Sequence, residues 1–339
     1  MEQFQTGART IRFAQPPSIL SFAAIGGKKE SEGPLADDFD YLSRDTSLGQ
    51  KSWEKAESKL QELALDAAKR KLDAQYQDID VLFAGDLLNQ CIGSSFALRS
   101  TGIPFLGLYG ACSTMAESLL LAASWVNAGY ARIAAALTSS HFASAERQYR
   151  FPLGYGGQRT PTAQWTVTGS GCCILGQAAH GPYVTGATVG RILDLGVKDA
   201  NNMGAAMAPA AVDTLERHFR ETGKQPSDYD LIVTGDLGSL GRRIVLEQTA
   251  ADGLDLSANY DDCGVLIFDA ARQDVHAGGS GCGCSASVLC GHLLRRMQRG
   301  ELKNLLFCAT GALLSPVSTW QGESIPGICH AVSISTERR

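Results

Sequence analysis

The residue best placed for chemistry in this chain is Cys112, within the segment 110–115, Gly-Ala-Cys-Ser-Thr-Met. An apolar stretch ends just before this segment, and an Ala- and Leu-rich stretch typical of a helix follows it. A thiol in the first turn of a helix lies at the positive end of the helix dipole, so we expect a lowered pKa and a thiolate available as a nucleophile. The free N–H groups of that turn could instead hold a carboxylate or phosphate without any reaction. In a third interpretation, Cys112 packs as a small hydrophobic side chain.

Two more polar residues, Asp86 and His141, each follow an apolar stretch typical of a buried strand. Ligands of α/β sheets bind at the carboxyl ends of parallel strands, so both side chains are candidate ligand contacts. A protonated His141 could donate two N–H groups to a carboxylate; the alternative is a buried histidine satisfied within the protein. Asp86 would repel an anion unless it were protonated, bonded elsewhere or bridged by calcium, and the alternative is an aspartate that caps the next helix.

These residues have to be positioned by alternating helices and strands. The periodicity of apolar residues predicts helices at about 52–72 and 112–128 and strands at 81–84, 103–109 and 131–137. Ser52 is a good N-cap for the first helix. This alternation is typical of an α/β fold with a parallel sheet.

The second half of the chain repeats the first. The segment Asp78–Leu87 reappears as Asp228–Leu237, 150 residues later, with a similar apolar run followed by Gly-Asp-Leu. Further on, a Gly-Cys-Gly-Cys turn at 281–284 opens a helix-like stretch that leads to a strand, in the order seen in the first half. We therefore predict two tandem α/β halves, residues 1–180 and 181–339, whose two cysteine turns meet at one pocket.

The composition narrows the classes of function. The chain has 339 residues, 44% hydrophobic content and a net charge of -5 from 30 basic and 35 acidic residues, which indicates a globular protein without a basic face for nucleic acid. Residues 1–13 lack the pattern of a signal peptide, and no run of about 18 apolar residues could span a bilayer. The ten cysteines are expected to be reduced, and their spacing does not fit zinc, so we predict no metal site and no cofactor.

One stretch, between His141 and Thr166, shows no clear periodicity. It contains Tyr and Arg side chains among glycines and prolines, such as Arg147, Tyr149 and Arg150. A long loop inside a compact domain is usually functional, so we predict a ligand or dimer loop, with a solvated subunit-contact loop as the alternative.

A duplicated α/β chain with a cysteine at the start of a first-half helix resembles the thiolase superfamily, whose members transfer or condense acyl groups. Several segments further resemble the stage V sporulation protein AD family: GDLLNQ (85–90), GACST (110–114), TSSH (138–141), AERQ (145–148), GGSGC (278–282) and ATGALLSP (309–316). The resemblance covers nearly the whole chain, from about Ile11 to Ile334. It implies a layered α-β-α-β-α structure of two duplicated α/β halves, a homodimer, and binding of dipicolinic acid (pyridine-2,6-dicarboxylate), with or without calcium, in the machinery that moves it into the forespore.

The same resemblance provides a test of the enzyme interpretation. Thiolases and related condensing enzymes pair the cysteine with second-half histidines, or with a histidine and an asparagine, that stabilise the thiolate and the oxyanion. The turn where thiolases carry Gly-His-Pro reads Gly-Cys-Gly-Cys at 281–284, and the nearby polar segment 261–263 is Asp-Asp-Cys, so neither supplies an imidazole. We therefore predict a protein that is not an enzyme and binds dipicolinic acid with Asp86, Cys112 and His141. The alternatives are a cysteine-dependent acyl-transferase or condensing enzyme, and a scaffold whose pocket is a relic.

The last expectation concerns location. A component of a transport process has to reach a membrane, but the sequence shows no spanning segment, no basic amphipathic helix and neither an N-myristoylation nor a prenylation motif. We expect synthesis in the cytoplasm and peripheral attachment at the forespore or spore inner membrane through integral membrane subunits of the same machinery.

Overall fold

The structure, a computed structural model, describes residues 7–149 and 159–338. Its strands are β1 (Thr10–Arg12), β2 (Ser18–Gly26), β3 (Tyr41–Leu42), β4 (Val81–Gly85), β5 (Phe105–Gly107), β6 (Ile133–Ser140), β7 (Trp165–Thr166), β8 (Gly169–Gly176), β9 (Tyr183–Thr188), β10 (Leu231–Thr234), β11 (Tyr260–Asp262), β12 (Gly279–Ser280), β13 (Asn304–Ala312) and β14 (Gly327–Ser335). Its helices are α1 (Trp53–Lys71), α2 (Ile92–Leu98), α3 (Thr114–Asn127), α4 (Phe142–Tyr149), α5 (Met203–Thr222), α6 (Gly238–Ala251), α7 (Cys263–Leu266), α8 (Cys282–Ser287), α9 (Leu294–Gln298) and α10 (Pro316–Trp320). A π-helical turn, Val288–Leu293, joins α8 to α9.

Twelve of these strands form one sheet that consists of two matching halves. The strand order is β5-β4-β6-β8-β2 in the first half and β11-β10-β13-β14-β9 in the second. The halves join where β2 meets β9, at the pair Ser18 and Tyr183. In addition, β1 pairs with β9, β3 pairs with β2, and β7 and β12 form a small separate sheet. The two halves thus share one strand order, as the internal repeat predicts.

The prediction of a parallel sheet is correct for only part of each half. Strands β4, β5 and β6 are parallel, and so are β10, β11 and β13. By contrast, β8 and β14 run antiparallel to β6 and β13. In the first half, Gly169 at the start of β8 lies opposite Ser140 at the end of β6. Because β8 begins at the end of the sheet where β6 finishes, the two strands run in opposite directions.

Helices cover the sheet halves and fill the space between them. Helix α1 packs on β2 and β8, and α5 packs on β13 and β14. Helix α3 lies between the halves, in contact with β4 and β6 of the first half and with β13 and β14 of the second. Three buried apolar clusters separate these layers, the largest of them around α3 and the helix from α8 to α9. The predicted α-β-α-β-α layering of two α/β halves is therefore confirmed.

Side chains at the ends of the elements explain where these elements begin. The Ser52 hydroxyl accepts a hydrogen bond from the backbone at the start of α1, and the Asn202 amide oxygen does the same for α5. Asp80 and Asp230 lie just before β4 and β10 and bond the backbone of the neighbouring strand. Asp80 accepts hydrogen bonds from the N–H groups where β6 begins, and Asp230 accepts those where β13 begins. The two copies of the repeat therefore share the same links between side chain and backbone.

The stretch after His141, predicted to be irregular, contains a helix. Helix α4 buries Ser144, Ala145 and Glu146. Eight residues are too few for a helical period to stand out in the sequence. The next part of the predicted ligand or dimer loop, residues 150–158, lies outside the described residues. Among the residues that are described, no helix combines the length and the apolar composition needed to cross a membrane.

Candidate functional site

The two cysteine turns meet, as predicted, at a pocket between the halves. The pocket contains about 440 Å³ of empty space, including its open mouth. Its lining consists of Leu87, Ala111, Cys112, Ala145, Glu146, Tyr149, Thr166, Met203, Ser280, Gly281, Ala312 and Leu314. A mostly apolar wall with a few polar groups is the usual composition of a small-molecule site.

Cys112 lies in the 3₁₀ turn Ala111–Ser113, which leads directly into α3. Ala111 has a positive φ of 49°, which is uncommon for alanine and marks a sharp turn. The thiol is only 6% exposed and lies close to the Asp236 carboxylate. Burial, followed by the negative charge of Asp236, raises the pKa of Cys112 well above its ordinary value. The predicted lowering of this pKa is wrong, because burial and the carboxylate outweigh the effect of the helix terminus.

Asp236 lies behind Cys112 and is fully buried. Its Oδ2 accepts a hydrogen bond from the N–H of Gly281 at 2.8 Å, and its Oδ1 accepts one from Thr310 Oγ1 at 2.9 Å. Burial raises the pKa of Asp236 to about 6, although the nearby Cys112 thiol and the hydrogen bonds from Gly281 and Thr310 act in the opposite direction. The sequence identifies Asp236 as the copy of Asp86, but its contact with Cys112 arises only when the two halves pack together.

Asp86 has different partners from its copy. Its Oδ1 accepts a hydrogen bond from the N–H of Leu88 at 2.9 Å, and its Oδ2 accepts bonds from the N–H and the hydroxyl of Ser94 at 2.7 and 2.6 Å. The residue is fully buried and is not part of the described pocket lining. This geometry supports the interpretation of Asp86 as the cap of α2. Its contact with a ligand stays a prediction.

His141 is buried as well, and both of its ring nitrogens are engaged. Nε2 donates to the carbonyl oxygen of Thr46 at 2.7 Å, and Nδ1 accepts a hydrogen bond from the N–H of Ala143 at 3.2 Å. Burial lowers the pKa of His141, which favours the neutral ring that these two bonds require. The described pocket lining does not include it. A protonated His141 that donates to a ligand therefore stays a prediction, and it requires the bond from Ala143 to break.

Comparison with known proteins places the chain in a family. Residues 7–335 match the family model described as stage V sporulation protein AD (SpoVAD). The chain belongs to the SpoVAD family. It is 46% identical over 327 residues to stage V sporulation protein AD of Bacillus subtilis (strain 168), in an alignment that covers 96% of each protein. The sporulation context predicted from the sequence motifs is therefore confirmed.

Solved structures of low sequence identity share the fold of this SpoVAD-family chain. The 3-oxoacyl-[acyl-carrier-protein] synthase III from Aquifex aeolicus VF5 matches with a TM-score of 0.57 and 10% identity, covering 94% of this chain and 99% of its own. Cerulenin-bound OleA of Xanthomonas campestris matches at 0.61 and 14%, covering 96% and 100%. Human mitochondrial 3-ketoacyl-CoA thiolase in complex with CoA matches at 0.58 and 12%, covering 96% and 99%. These likenesses show a thiolase-like fold, and the chemistry has to be argued from the site residues.

Tyr149 forms part of the pocket wall in this SpoVAD-family chain and is hydrogen-bonded to Tyr109. The Tyr149 hydroxyl donates to the carbonyl oxygen of Leu87 at 2.6 Å, and the Tyr109 hydroxyl lies 2.7 Å from that of Tyr149. Because Tyr149 uses its hydrogen on Leu87, Tyr109 is the donor of the second bond. The sequence places Tyr149 in an irregular stretch and gives no role to Met203, another lining residue. The eight residues of α4 are too few for a helical pattern to assign Tyr149 to the wall from the sequence.

Two carboxyl groups lie at the part of the pocket that the structure describes. Glu146 belongs to the lining and Asp236 lies behind it, while the described lining residues include no lysine, arginine or histidine. In the part of the chain that the structure describes, no three His, Cys, Asp or Glu side chains are arranged to hold a metal ion. Because burial raises the pKa of Cys112, the thiol keeps its proton near neutral pH.

Proposed function

We propose that this chain is a binding protein and not an enzyme, and that its pocket takes dipicolinic acid within the machinery that moves this compound into the forespore. The observation that carries the proposal is the burial of Cys112 beside Asp236. Burial, followed by the negative charge of Asp236, raises the pKa of the thiol and keeps the proton on the sulfur at the point where a thiolase-like enzyme needs a thiolate. Membership of the SpoVAD family supports the sporulation context.

The lining of the pocket supports a ligand with one aromatic ring. Leu87, Met203 and Leu314 offer apolar surface to the faces of a ring. The hydroxyls of Thr166 and Ser280 also belong to the lining and can donate hydrogen bonds to a carboxylate.

Titration calorimetry with dipicolinate, alone and with calcium, tests this proposal. We expect saturable binding, weakened several-fold in Cys112→Ala because the thiol donor is lost. Cys172→Ala is the matched control, since Cys172 is equally buried but lies in β8, away from the pocket lining. Isophthalate, which carries the same two carboxylates on a benzene ring, shows whether the ring nitrogen contributes. No heat and no thermal stabilisation at millimolar dipicolinate would refute the proposal.

The two other predicted ligand contacts can be tested in the same assay. If Asp86 and His141 touch the ligand, Asp86→Asn and His141→Gln weaken binding and leave stability nearly unchanged. Their hydrogen bonds within the protein support the opposite result, with each variant losing about 1 kcal/mol of stability. Urea unfolding beside the titrations separates the two results.

The alternative function is a cysteine-dependent acyl-transferase or condensing enzyme. The thiolase-like fold and the position of Cys112 before α3 favour it. It predicts that acyl-CoA leaves an acyl mass on the intact protein, and that Cys112→Ala abolishes this mass. Absence of the adduct with short and long acyl chains would exclude the alternative.

We further propose that the protein is a homodimer held at the forespore or spore inner membrane by integral subunits of the same machinery. The resemblance to the thiolase superfamily supports the dimer, and the transport role supports the membrane location. Fractionation of sporulating cells that lack the other subunits should release the protein from membranes. Binding of the purified protein to protein-free liposomes would instead indicate direct attachment to lipid. Sedimentation equilibrium measures the oligomeric state.

A further inference from the structure

A second cavity lies at the opposite end of helix α5 from the Cys112 pocket. Met203, at the start of α5, lines the Cys112 pocket, whereas Thr222, at the end of α5, lines the second cavity. A helix of 20 residues is about 30 Å long, so the two cavities are separate. The second cavity contains about 1010 Å³ of empty space, including its open mouth. Most of its described lining side chains are polar, and they come from β1, β9, β13, β14, the end of α5 and the segment that follows α5.

A chain of buried hydrogen bonds holds part of this wall in place. His218 Nδ1 lies 2.9 Å from Thr188 Oγ1, and His218 Nε2 lies 2.8 Å from the Tyr229 hydroxyl. The chain continues from Thr188 to Thr10 Oγ1 at 2.9 Å, and from Tyr229 to Ser333 Oγ at 3.0 Å. All five residues are buried, and three of them, Thr10, His218 and Ser333, line the cavity. Because each bond fixes the next side chain, this part of the wall is rigid before any ligand binds.

The internal repeat indicates that the fold does not need this polar chain. At an offset of 150 residues, His218 of α5 corresponds to Ala68 of α1. Tyr229 corresponds in the same way to Ile79. Ala68 and Ile79 lie in a buried apolar cluster, so the first half fills the equivalent space without polar groups. Burying polar groups has a free-energy cost that apolar packing avoids, so their presence in the second half points to a role in the cavity.

Two lining residues have hydrogen-bond donors without an acceptor. Arg12, an exposed residue of β1, forms no hydrogen bond or ion pair with another described residue. Asn304, at the start of β13, accepts a hydrogen bond from Ser335 Oγ on its Oδ1 at 2.8 Å, and its Nδ2 has no partner in the described part of the chain. Guanidinium and amide NH₂ groups can only donate. A ligand therefore has to supply acceptor oxygens, and the charge of Arg12 favours an anion.

Other lining groups can only accept. The Thr185 hydroxyl donates its hydrogen to the carbonyl oxygen of Ser333 at 3.2 Å, which leaves its oxygen lone pairs, and Asp228 is a carboxylate. Both suit the hydroxyl groups of a ligand. Arg12 and Asn304 lie three strands apart, in the order β1, β9, β14 and β13, or about 14 Å. A single ligand that reaches both therefore has to carry more than one polar group.

We propose that this cavity is a second small-molecule site, for an anion that also carries hydroxyl groups. A sugar phosphate and a hydroxycarboxylate both have this chemistry. The anionic oxygens bind Arg12, and the hydroxyl groups bind Asn304, Thr185 and Asp228. The site shares no described lining residue with the Cys112 pocket and does not depend on the function proposed for that pocket.

Titration calorimetry with glucose 6-phosphate and with citrate tests this site. We expect saturable binding of at least one of the two at or below millimolar concentration. Glucose, which lacks the anionic group, should bind about tenfold more weakly or less, because a charge-assisted hydrogen bond is lost. Inorganic phosphate, which lacks the carbon-bound hydroxyl groups, should also bind more weakly. Binding of glucose 6-phosphate alone identifies a phosphate ligand, and binding of citrate alone identifies a carboxylate ligand.

Variants locate the bound probe. Arg12→Gln should weaken its binding about tenfold or more and leave the melting temperature nearly unchanged, because Arg12 is exposed. Arg243→Gln is the matched control, since it removes the same charge from an exposed position of α6 outside the lining. Cys112→Ala changes only the other pocket and should keep the binding of the probe.

Three results would overturn the proposal. The first is no saturable binding of glucose 6-phosphate or citrate at millimolar concentration. The second is equal binding by wild type and Arg12→Gln, or equal binding of glucose and its phosphate, because the cation then has no part in recognition. The third is loss of binding in Cys112→Ala, which would place the probe in the Cys112 pocket. A failure of dipicolinate to bind would refute the proposed function and leave this second site standing.

Discussion

Replacing Asp236 by Asn should alter how folding stability depends on pH, even without a ligand. Burial raises the pKa of Asp236 to about 6 from an ordinary value of 3.8, a shift worth about 3 kcal/mol. A carboxyl with a raised pKa destabilises the fold as the pH rises from its unfolded to its folded pKa. About 2 kcal/mol of the shift falls between pH 4.5 and pH 8, because the unfolded carboxyl is already mostly ionised at pH 4.5. The stability of the variant relative to wild type should therefore rise by about 2 kcal/mol over this interval.

Urea unfolding of both proteins at pH 4.5 and pH 8, followed by circular dichroism, measures this difference. A fixed loss of about 1 kcal/mol from rearranged hydrogen bonds at Gly281 and Thr310 cancels when the two pH values are compared. Asp255→Asn is the control, because a hydrogen bond from Ser257 lowers the pKa of that exposed carboxyl, and its effect should have the opposite sign. A difference that is the same at both pH values would show that Asp236 titrates normally. The burial and hydrogen bonding of Asp236 described above would then be wrong.

Three further predictions follow from the same contacts. Iodoacetamide should modify Cys112 more slowly than free cysteine at pH 7.5, and Cys112 of Asp236→Asn faster than Cys112 of wild type, as measured by peptide mass spectrometry. A rate in wild type above that of free cysteine would contradict the raised pKa. The free energy of unfolding of Glu30→Gln relative to wild type should rise by up to about 3 kcal/mol between pH 4 and pH 8, measured with urea, because burial raises the pKa of Glu30 to about 7. The same difference at both pH values would contradict the raised pKa. Tyr149→Phe should lose about 1 kcal/mol of stability with its bond to Leu87, and a loss below 0.3 kcal/mol would show that water replaces that bond.

Much of the fold could be predicted because the duplication is recorded in short local segments. The copies Asp78–Leu87 and Asp228–Leu237 carry signals that act over a few residues, and in both the structure forms a capping box that ends at the first aspartate and then a buried strand. Strand direction is not a local property. Nothing in the composition of β8 shows that it begins opposite the end of β6, so its antiparallel pairing could not be derived from apolar periodicity.

The candidate site was predictable at Cys112 and not in its surroundings. The turn and the following helix are local signals, but the pKa of the thiol depends on its burial and on Asp236, 124 residues away in the sequence. Likewise, Met203 and Leu314 join the lining only because α5 and the end of β13 approach α4. The raised pKa of Cys112 therefore comes from packing between the halves, which a pattern within one half does not contain.

Asp86 and its copy Asp236 have different partners because, in the second half, another carboxylate accepts the hydrogen bonds at the start of the following helix. In the first half, Asp86 itself accepts the N–H groups of Leu88 and Ser94 before α2. In the second half, Asp262 accepts the N–H groups at the start of α6 and also a hydrogen bond from Thr234.

The pairing of the strands explains why a separate carboxylate caps the helix in the second half and not in the first. Thr234 lies opposite Asp262 in β10 and β11, and the corresponding pair in β4 and β5 is Ala84 opposite Gly107. At this position the first half therefore has no side chain that could relieve Asp86 of capping. In the second half, where Asp262 caps α6, Asp236 accepts the hydrogen bond of Gly281 from the cysteine turn. The link between Asp236 and this turn thus depends on a residue outside the described pocket lining.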